Sequence, residues 1–407
     1  MHQPADIPAT LASPGPDSAF AHRIDAAVER AADTVDAMWG EFAQEIGPVA
    51  PSVAAWVELA RSQTGGGFLR ARLVAASYYG SGGESDEVCD ALTASVQLLH
   101  LGLCIHDDLI DGDEHRHGRA NVSGVVRAQL ESAGYARVAV DRHAVSAALL
   151  AGDLAIELAH RALLAAPVAD RIRILLLEAM GEARRFTIIG EQLDVTNELL
   201  TPEFSRPILA AELKTARYSF ILPLHLGALA GADTLSSPVL ATLEACGQSM
   251  GIAYQLIDDD LGVFGDPSRT GKSTRADLRA GKRTELLRLT YANASPAQRR
   301  LLDAGVGRWA LTDAEAKQLR KVMAATGARQ SNAQLAQRCA ASAARTLRSG
   351  PLRTDLTDYL LDLVHDFLMA RVEVRPPDEP RRVDSRTGSS ELTHSPSAVA
   401  GNGANET

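Results

Sequence analysis

Two acidic clusters are the most chemically informative feature of the sequence. The first lies in HDDLIDGDEHRHGRA, residues 106–120, which places five acids within eight positions. Asp107 and Asp111 are four residues apart and therefore share a helix face, with Asp108 beside them. The second cluster is the run Asp258, Asp259 and Asp260. Neighbouring like charges destabilise an isolated helix, so each cluster needs a partner that offsets the repulsion.

Oxygen-binding divalent cations suit these clusters best. Each cluster closes an apolar stretch, VQLLHLGLCIH or MGIAYQLI, and so faces the edge of a core. Carboxylates without cysteine or paired histidine favour Mg²⁺, which bridges protein carboxylates to phosphate oxygens. A calcium EF-hand is excluded, because DDLIDGDEH lacks oxygen ligands at alternate positions. About five carboxylates and one diphosphate are balanced by roughly three Mg²⁺ ions and nearby cations. The candidate cations are Arg116, Lys214, Lys272 and Lys282.

The elements that position these residues are predicted to be helices. The chain has 407 residues, of which 46% are apolar and only 4% aromatic, and the helix formers Ala, Leu, Arg and Glu are abundant. Long amphipathic runs are separated by turn-forming segments such as GSGGESDE and TPEFSRP. The prediction is an all-α protein, a single large helical bundle over residues 19–374. Residues 1–18 and 375–407 are rich in Pro, Ser and Gly or Ala and are predicted to be disordered tails.

Charge and cysteine usage exclude several classes of partner. The net charge of −10 disfavours nucleic acid as a general partner. Cys89, Cys104, Cys246 and Cys339 are far apart in the sequence, which is typical of reduced thiols in a cytoplasmic protein. The first residues lack the features of a signal peptide. No uninterrupted apolar run reaches the roughly 18 residues of a membrane span, so no transmembrane segment is expected.

Five segments, in order, resemble the motifs of the trans-isoprenyl diphosphate synthase (polyprenyl synthetase) family. AGDLAIELA, IIGEQLDV and LKTARYSFILPL lie between the two acidic motifs HDDLIDGDEHRHGRANV and GIAYQLIDDDLGVFGDPSRTGKSTRADLRAGKRT. The resemblance covers most of residues 60–290. It implies the isoprenoid synthase fold, an all-α bundle around a deep apolar pocket, and a homodimer.

The resemblance also implies roles for individual residues. Metal ligands would be Asp107, Asp108, Asp111, Asp258 and Asp259. Arg116, Lys214 and Lys272 would hold an allylic diphosphate, and the further candidate substrate-binding residues are Lys282, Arg70, His100 and His117. Lys214, Thr215 and Gln255 would line the reacting centre. Mg²⁺ acting as a Lewis acid would promote ionisation to an allylic cation, which isopentenyl diphosphate then attacks.

Three departures from the family pattern concern the second substrate. The usual Gly-Gly-Lys-Arg-x-Arg-Pro run is GGGFLRA here, so that Gly67 replaces the lysine and Phe68 the first arginine, while Arg70 is retained. His117 replaces the second arginine after the first motif. Each lost charge-assisted hydrogen bond removes about 1.5–3 kcal/mol. A fourth departure is Gly262, in place of the last aspartate of the second motif.

These departures leave three functional interpretations. A synthase would regroup Arg70, Arg119, His100 and His117 around the second diphosphate. A class I terpene synthase-like enzyme would ionise an allylic diphosphate and let the cation cyclise or eliminate without isopentenyl diphosphate. A non-catalytic partner subunit is disfavoured, because idle acidic clusters would only repel. The low aromatic content slightly disfavours cyclisation, since such cavities stabilise cations with aromatic faces.

Product length is predicted from the residues that precede the first acidic motif. Gly102 and Leu103 lie five and four positions before Asp107 on the same helix face. The absence of an aromatic floor there, with Leu99 and Val96 beyond, predicts an open pocket. The expected product is therefore C20 or longer.

Overall fold

The computed structural model describes residues 18–116, 118–232, 236–265 and 274–369. His117 and Lys272, and almost all of the two predicted tails, lie outside these ranges. The all-α prediction is confirmed. Apart from one ribbon of two short strands, with two residues in each, the regular elements of the described residues are helices.

The first half of the chain contains seven long α-helices and a short antiparallel ribbon within the described ranges. Ser18 caps the first helix by accepting a hydrogen bond from the backbone N–H of Ala21 at 3.0 Å. The elements are α1 (Ala19–Ile46), α2 (Pro51–Arg61), α3 (Leu69–Gly80), α4 (Asp86–Asp111), β1 (His115–Arg116), β2 (Arg119–Ala120), α5 (Val122–Ser132), α6 (Arg137–Ala165) and α7 (Asp170–Glu198).

The second half begins with a 3₁₀ turn at Pro202–Phe204 and a helix whose middle is π-helical. That helix consists of α8 (Pro207–Ala210), a π-helical stretch (Ala211–Ile221) and α9 (Leu222–Gly231). After it come α10 (Ser237–Phe264), α11 (Ala276–Ala280), α12 (Glu285–Asn293), α13 (Pro296–Gly305), α14 (Asp313–Ala325), α15 (Ala328–Ser349), α16 (Thr354–Leu363) and a terminal π-helical turn (Val364–Met369).

Helix α4 lies at the centre of the main core and carries the first acidic cluster at its end. It packs against α6, α1 and α3. Ser85 caps its first turn, and Gly112, with φ of 71°, ends it. By length and composition α4 is also the one described helix that could cross a membrane, but 78% of its most apolar window is buried inside the fold. The apolar character of α4 is thus accounted for by the protein core, which makes it weak evidence for a membrane span.

A second, smaller core lies beside the end of α10. It brings Val263 together with residues of α11–α15, including Leu278, Leu286 and Leu319. This cluster fixes α11 against α10 and so positions the segment after the second acidic run.

The prediction of an open pocket floor at Gly102 is wrong. A Cβ atom at this position would lie 2.7 Å from the backbone oxygen of Gly152 and 2.7 Å from Cγ1 of Ile156. Gly102 therefore faces α6, and its lack of a side chain serves the close crossing of α4 and α6. Leu103, which is partly buried against the main core, is left as the candidate floor residue.

Candidate active site

Both acidic clusters occupy the C-terminal ends of helices. Asp107, Asp108 and Asp111 lie in the last turns of α4, and Asp258 and Asp259 lie near the end of α10. The C-terminal end of a helix carries a partial negative charge, so carboxylates are disfavoured there. Cations from other elements must therefore offset this local field.

Lys214 of the π-helical stretch is the central cation. Its Nζ lies 3.0 Å from Oδ1 of Asp107, 2.8 Å from Oε2 of Glu191 and 3.0 Å from Oδ2 of Asp194. The two α7 acids reach it because α7 passes very close to the π-helical stretch at Gly190, where a Cβ would lie 2.3 Å from the backbone nitrogen of Lys214.

The electrostatics of this group favour the charged forms of Asp107 and Lys214. Burial alone would raise the pKa of Asp107, but Lys214 and Lys282 outweigh it and hold that pKa at about 2. Burial likewise opposes the charge of Lys214, yet Asp107, Asp194 and Glu191 raise its pKa well above the usual value. The pKa of Glu191 is raised, chiefly by burial. Lys214 therefore stays protonated at neutral pH.

Asp108 is directed away from Lys214 and towards the β1–β2 ribbon. Its Oδ1 accepts a hydrogen bond from Nη1 of Arg116 at 2.6 Å, and its Oδ2 accepts one from Nδ2 of Asn121 at 3.1 Å. The ribbon pairs Arg116 with Arg119 and thereby folds the chain back onto α4. Both oxygens of Asp108 thus hold neighbouring residues in place, and its role as a metal ligand stays a prediction.

Lys282 is the cation of Asp111. Its Nζ lies 2.5 Å from Oδ2 of Asp111. Burial disfavours the charged lysine, but Asp111, Asp107 and Asp277 raise its pKa. Lys282 and Asp111 are 171 residues apart in the sequence, so their contact shows that the loop after α11 folds over the first acidic cluster.

A hydrogen-bonded chain leads to the second cluster. Oγ1 of Thr215 donates to Oε1 of Gln255 at 2.6 Å, and Nε2 of Gln255 donates to Oδ1 of Asp259 at 2.8 Å. Burial raises the pKa of Asp259 well above its usual value, and the charges of Asp277 and Asp258 raise it further. Because Thr215 follows Lys214 in sequence, the π-helical stretch contacts the first acidic cluster directly and is linked to the second through Gln255.

The neighbouring acids of the second cluster differ in their surroundings. Asp260 forms two hydrogen bonds with Arg329 of α15, at 2.9 and 3.0 Å, so it ties α10 to α15. Asp258 is partly buried. Asp260 therefore serves to join two helices, and the metal-ligand role of Asp258 and Asp259 stays a prediction.

The residues predicted to hold the second diphosphate meet around Tyr218. Nη2 of Arg70 donates to the hydroxyl of Tyr218 at 3.1 Å and to Oγ of Ser219 at 2.7 Å. Nδ1 of His100 lies 3.4 Å from the same hydroxyl. Phe68 has a φ of 51° at the start of α3. Arg70 and His100 are thus brought together, while His117 lies outside the described residues.

Sequence reasoning missed several residues of this site. The IIGEQLDV segment is recognisable in the sequence, but its pattern does not predict that Glu191 and Asp194 contact Lys214. Tyr218 lies four residues after Lys214, and Asn121 follows the basic ribbon. Asp277 also belongs here, since its charge acts on both Asp259 and Lys282.

The donor set fits Mg²⁺ that binds together with a diphosphate. Oδ1 of Asp107 is buried and accepts no hydrogen bond of good geometry, despite its ion contact with Lys214. In the described ranges no three His, Cys, Asp or Glu side chains are grouped closely enough to hold a metal ion alone. Mg²⁺ is commonly held by one or two carboxylates plus substrate phosphates. Carboxylates separated by ammonium groups match that mode of binding.

Comparison with known proteins agrees with this geometry. Residues 58–323, more than half of the chain, match the pattern of the polyprenyl synthetase family. The chain belongs to this family. The match extends from α2 into α14 and so includes both acidic clusters, Lys214 and Gln255.

Two curated relatives from one bacterium are similar to part of the chain. A (2E,6E)-farnesyl diphosphate synthase of Mycobacterium tuberculosis is 35% identical over 209 residues, 51% of this chain and 52% of the relative. A geranylgeranyl diphosphate synthase of the same organism is 32% identical over 222 residues, 54% of this chain and 57% of the relative. The chain thus spans about half the length of these curated relatives.

A solved polyprenyl synthetase structure extends the similarity over the bundle. The geranylgeranyl pyrophosphate synthase of Corynebacterium glutamicum, solved with isoprenyl diphosphate and magnesium, has a TM-score of 0.79 and 28% identity. The alignment covers 86% of this chain and 99% of that one. The predicted family and fold are both confirmed.

Proposed function

We propose that this protein is a Mg²⁺-dependent prenyltransferase that condenses an allylic diphosphate with isopentenyl diphosphate. The observation that carries the proposal is the link between the two acidic clusters through adjacent residues. Lys214 contacts Asp107, and Thr215 is hydrogen-bonded through Gln255 to Asp259. Such an arrangement presents cations, metal-binding carboxylates and polar oxygens to one substrate.

Two groups of residues would hold the allylic diphosphate, the lysines directly and the aspartates through metal ions. Lys214 and Lys282 would bind its oxygens, together with Lys272, while Asp107, Asp111, Asp258 and Asp259 would hold the metal ions. When bound, Mg²⁺ supplies Lewis acidity that withdraws charge from the leaving diphosphate. The solved relative from Corynebacterium glutamicum, which contains magnesium, supports a divalent metal. We infer roughly three ions from the charge balance of the site.

Thr215 and Gln255 are suited to the reacting centre. Because the hydroxyl of Thr215 donates a hydrogen bond to Oε1 of Gln255, the lone pairs of its oxygen remain available to face a developing allylic cation. The C–O bond of the allylic substrate breaks, the double bond of isopentenyl diphosphate forms the new C–C bond, and the proton lost from the product passes to the released diphosphate. All three catalytic assignments, Lys214, Thr215 and Gln255, rest on this arrangement.

The residues around the second-substrate site support binding of isopentenyl diphosphate that is weaker than in the family pattern. Arg70 and His100 flank Tyr218 and offer donors to a second diphosphate. Gly67 and Phe68 supply no charge there. The adjacent cleft of about 590 Å³ has no cation to spare for an anion, because its Arg61 is paired with the acids Asp36 and Glu58. Binding of isopentenyl diphosphate therefore relies on Arg70, His100 and Arg119, together with His117.

The missing cations also favour a second candidate function. A class I terpene synthase-like enzyme would ionise the same allylic diphosphate and cyclise or eliminate it. This activity needs the metal clusters and Lys214 but not Arg70 or His100. The observation in its favour is the replacement of two cations by Gly67 and Phe68.

The proposal also includes the length of the product. A product of C20 or longer is supported by the geranylgeranyl diphosphate synthases among the relatives, with Leu103 as the candidate residue at the floor of the pocket.

A homodimer is supported by apolar side chains on α6 and α7 that are about half exposed in the single chain. These are Val145, Leu149, Leu150, Ile174, Ile188 and Ile189. Light scattering on the purified chain tests this assembly through its mass.

The proposed reaction is tested by turnover with labelled isopentenyl diphosphate. With an allylic diphosphate and Mg²⁺, the label should appear in a longer isoprenyl diphosphate, and chelation of the metal should stop the transfer. Absence of labelled product over a range of allylic substrates would contradict the proposal.

A further inference from the structure

Five large apolar side chains are more than three-quarters exposed in the described ranges, and the next most exposed one is only 60% exposed. Phe204 and Trp309 belong to this set, and they are the only exposed ones among the phenylalanine and tryptophan side chains that the structure describes. Single exposed apolar residues are common on proteins, so the position of the set in the fold decides its meaning. The five are Val49, Val138, Leu199, Phe204 and Trp309.

Val49 follows α1, which runs parallel to α4. Arg23 of α1 lies 3.8 Å from Asp86 at the start of α4. Arg30, further along α1, lies 2.9 Å from Asp90, which is further along α4. Past this pair, α1 continues for about as many residues as α4 needs to reach its acidic cluster. Val49 therefore lies at the end of the bundle at which α4 ends.

Val138 lies in the first turn of α6, which runs antiparallel to α4. Ser95 of α4 donates a hydrogen bond to the carbonyl oxygen of Ala159 at 2.9 Å. Near the other end of α4, Nε2 of His106 lies 3.0 Å from the carbonyl oxygen of Leu149. The part of α6 that precedes Leu149 therefore extends past the end of α4, and it carries Val138 with it.

Leu199 and Phe204 follow α7, which ends beside the end of α4. Asp194, in the last turns of α7, contacts Nζ of Lys214, and the same nitrogen contacts Asp107 of the first acidic cluster. Leu199 directly follows the helix, and Phe204 belongs to the 3₁₀ turn after it. Both side chains therefore lie at this same end of the bundle.

Trp309 is held at this end by α11 and the turn after it. The backbone N–H of Gly307 donates to the carbonyl oxygen of Leu278 in α11 at 2.8 Å. Lys282 of the following turn contacts Asp111 at the end of α4. All five of the most exposed apolar side chains thus surround the end of the bundle that carries the first acidic cluster, and we call this set the apolar rim.

Exposed arginines lie beside the apolar rim. Between residues 275 and 310 the chain has eight Lys or Arg and three Asp or Glu, although its net charge is −10. Arg206, two residues after Phe204, and Arg300 of α13 are exposed. Arg283 donates its hydrogen bonds to backbone carbonyl groups, which carry no formal charge. Aromatic side chains beside arginines suit a bilayer surface, where aromatic rings lie at the level of the headgroups and cations attract anionic lipids.

We propose that the apolar rim docks on the surface of a bilayer that contains anionic lipids, with Phe204 and Trp309 entering the headgroup region. The choice of a lipid as partner rests on the proposed function, because an isoprenyl chain of C20 or longer is apolar and is more stable in lipid than in water. A protein docked by the end that carries its diphosphate site would release such a product next to the bilayer.

The test is binding of the full chain, without substrate, to vesicles of phosphatidylcholine and phosphatidylglycerol. Flotation of the vesicles measures the bound fraction, and tryptophan emission reports the surroundings of Trp309. The emission is informative because Trp39 is fully buried, and because Trp56 is partly buried and donates its indole N–H to the carbonyl oxygen of Ala147 at 3.1 Å.

The test variant is the double change Phe204→Ala and Trp309→Ala. Its vesicle partition coefficient should be at least roughly tenfold lower than that of wild type, because the transfer of one large apolar side chain out of water accounts for about this factor. Wild-type emission should shift to shorter wavelength on binding, and this shift should be absent in the variant. Leu164→Ala is the matched control and should bind as wild type does, because Leu164 is 51% exposed but lies near the opposite end of α6.

Three outcomes overturn the inference. One is wild-type protein that does not float with the vesicles, and another is a double variant that binds as tightly as wild type. The third is a smaller mass of the double variant in light scattering without vesicles, which would show that the apolar rim joins two copies of the chain. The double variant should keep the Tm and the vesicle-free turnover of wild type. Because vesicle binding is measured without substrate, failure of the proposed reaction would be seen separately, as absent turnover.

Discussion

The ammonium nitrogen of Lys214 lies 3.0 Å from Oδ1 of Asp107 and thereby joins the π-helical stretch to the end of α4. Single π-turns inside helices are frequent at functional sites, and this longer one places Lys214 against the first acidic cluster and Thr215 against Gln255, which in turn contacts the second. The positive charge of Lys214 offsets both the partial negative charge at the end of α4 and the charges of the three carboxylates that it contacts. We expect it to exchange these contacts in part for diphosphate oxygens when substrate and metal bind.

Loss of a proposed metal ligand should remove activity and leave the fold intact. Asp107→Ala and Asp258→Ala are each expected to lower kcat by at least roughly 10²–10³-fold, the effect of removing one strong electrostatic contact to a developing charge. Lys214 keeps Glu191 and Asp194 in the first variant, so its charge stays paired. Steady-state kinetics and circular dichroism measure the two effects. Near wild-type activity of either variant would show that the clusters do not hold the catalytic metal.

Asp259 should make the metal-free protein less stable as pH rises. Its raised pKa means that the folded state binds a proton more tightly than the unfolded state, in which the pKa is about 3.9. Stability from this group is therefore full below pH about 4 and is lost as pH rises through the folded-state pKa. Asp259→Asn should have a higher Tm than wild type at neutral pH without metal.

The difference in Tm between Asp259→Asn and wild type should vanish towards pH 4, and Mg²⁺ with diphosphate should stabilise wild type more than the variant. Differential scanning fluorimetry across pH measures both. A Tm difference that is independent of pH would contradict a raised pKa for Asp259.

Leu103 and Gly102 should respond differently to phenylalanine. Leu103→Phe is expected to shorten the product, because Leu103 is four residues before Asp107 on the same face of α4. Gly102→Phe should instead lower Tm or prevent folding, since even a Cβ there would collide with α6. Mass spectrometry of the products and thermal unfolding distinguish the two. An unchanged product length in Leu103→Phe would show that the growing chain runs elsewhere.

Restoring the family's cations should strengthen binding of the second substrate. Gly67→Lys with Phe68→Arg adds two charge-assisted hydrogen bonds of about 1.5–3 kcal/mol each, and His117→Arg is a further addition outside the described residues. The KM for isopentenyl diphosphate should fall at least tenfold, while that for the allylic substrate stays unchanged. Asp33→Lys, in the neighbouring cleft, serves as a control for added charge alone. An equal decrease in KM in that control would show that the effect is nonspecific.

The sequence was sufficient for the fold class and for identifying several residues that the structure brings together in the candidate site. Helix composition predicted the bundle, and the i, i+4 spacing placed Asp107 and Asp111 on one face. Lys214 and Gln255 were identifiable because a polar side chain in an apolar stretch needs a partner. The structure supplied those partners, which are Asp107 and Thr215 respectively.

Other features depend on contacts between distant segments and could not be predicted. Gly102 faces α6 because α4 and α6 cross closely at this point. The spacing of residues along α4 does not predict that crossing. The π-helical stretch shifts side chains relative to an α-helix without any glycine or proline to mark it. Likewise, Asp277 reaches Gly262 only because α11 packs on α10.

The most direct test measures diphosphate release from a labelled allylic diphosphate and Mg²⁺, with and without isopentenyl diphosphate. The account predicts release that depends on isopentenyl diphosphate and is matched by formation of a chain-extended diphosphate. Rapid release without isopentenyl diphosphate, giving a hydrocarbon or an alcohol and no extended product, would contradict the account and assign the protein to the terpene synthase-like function.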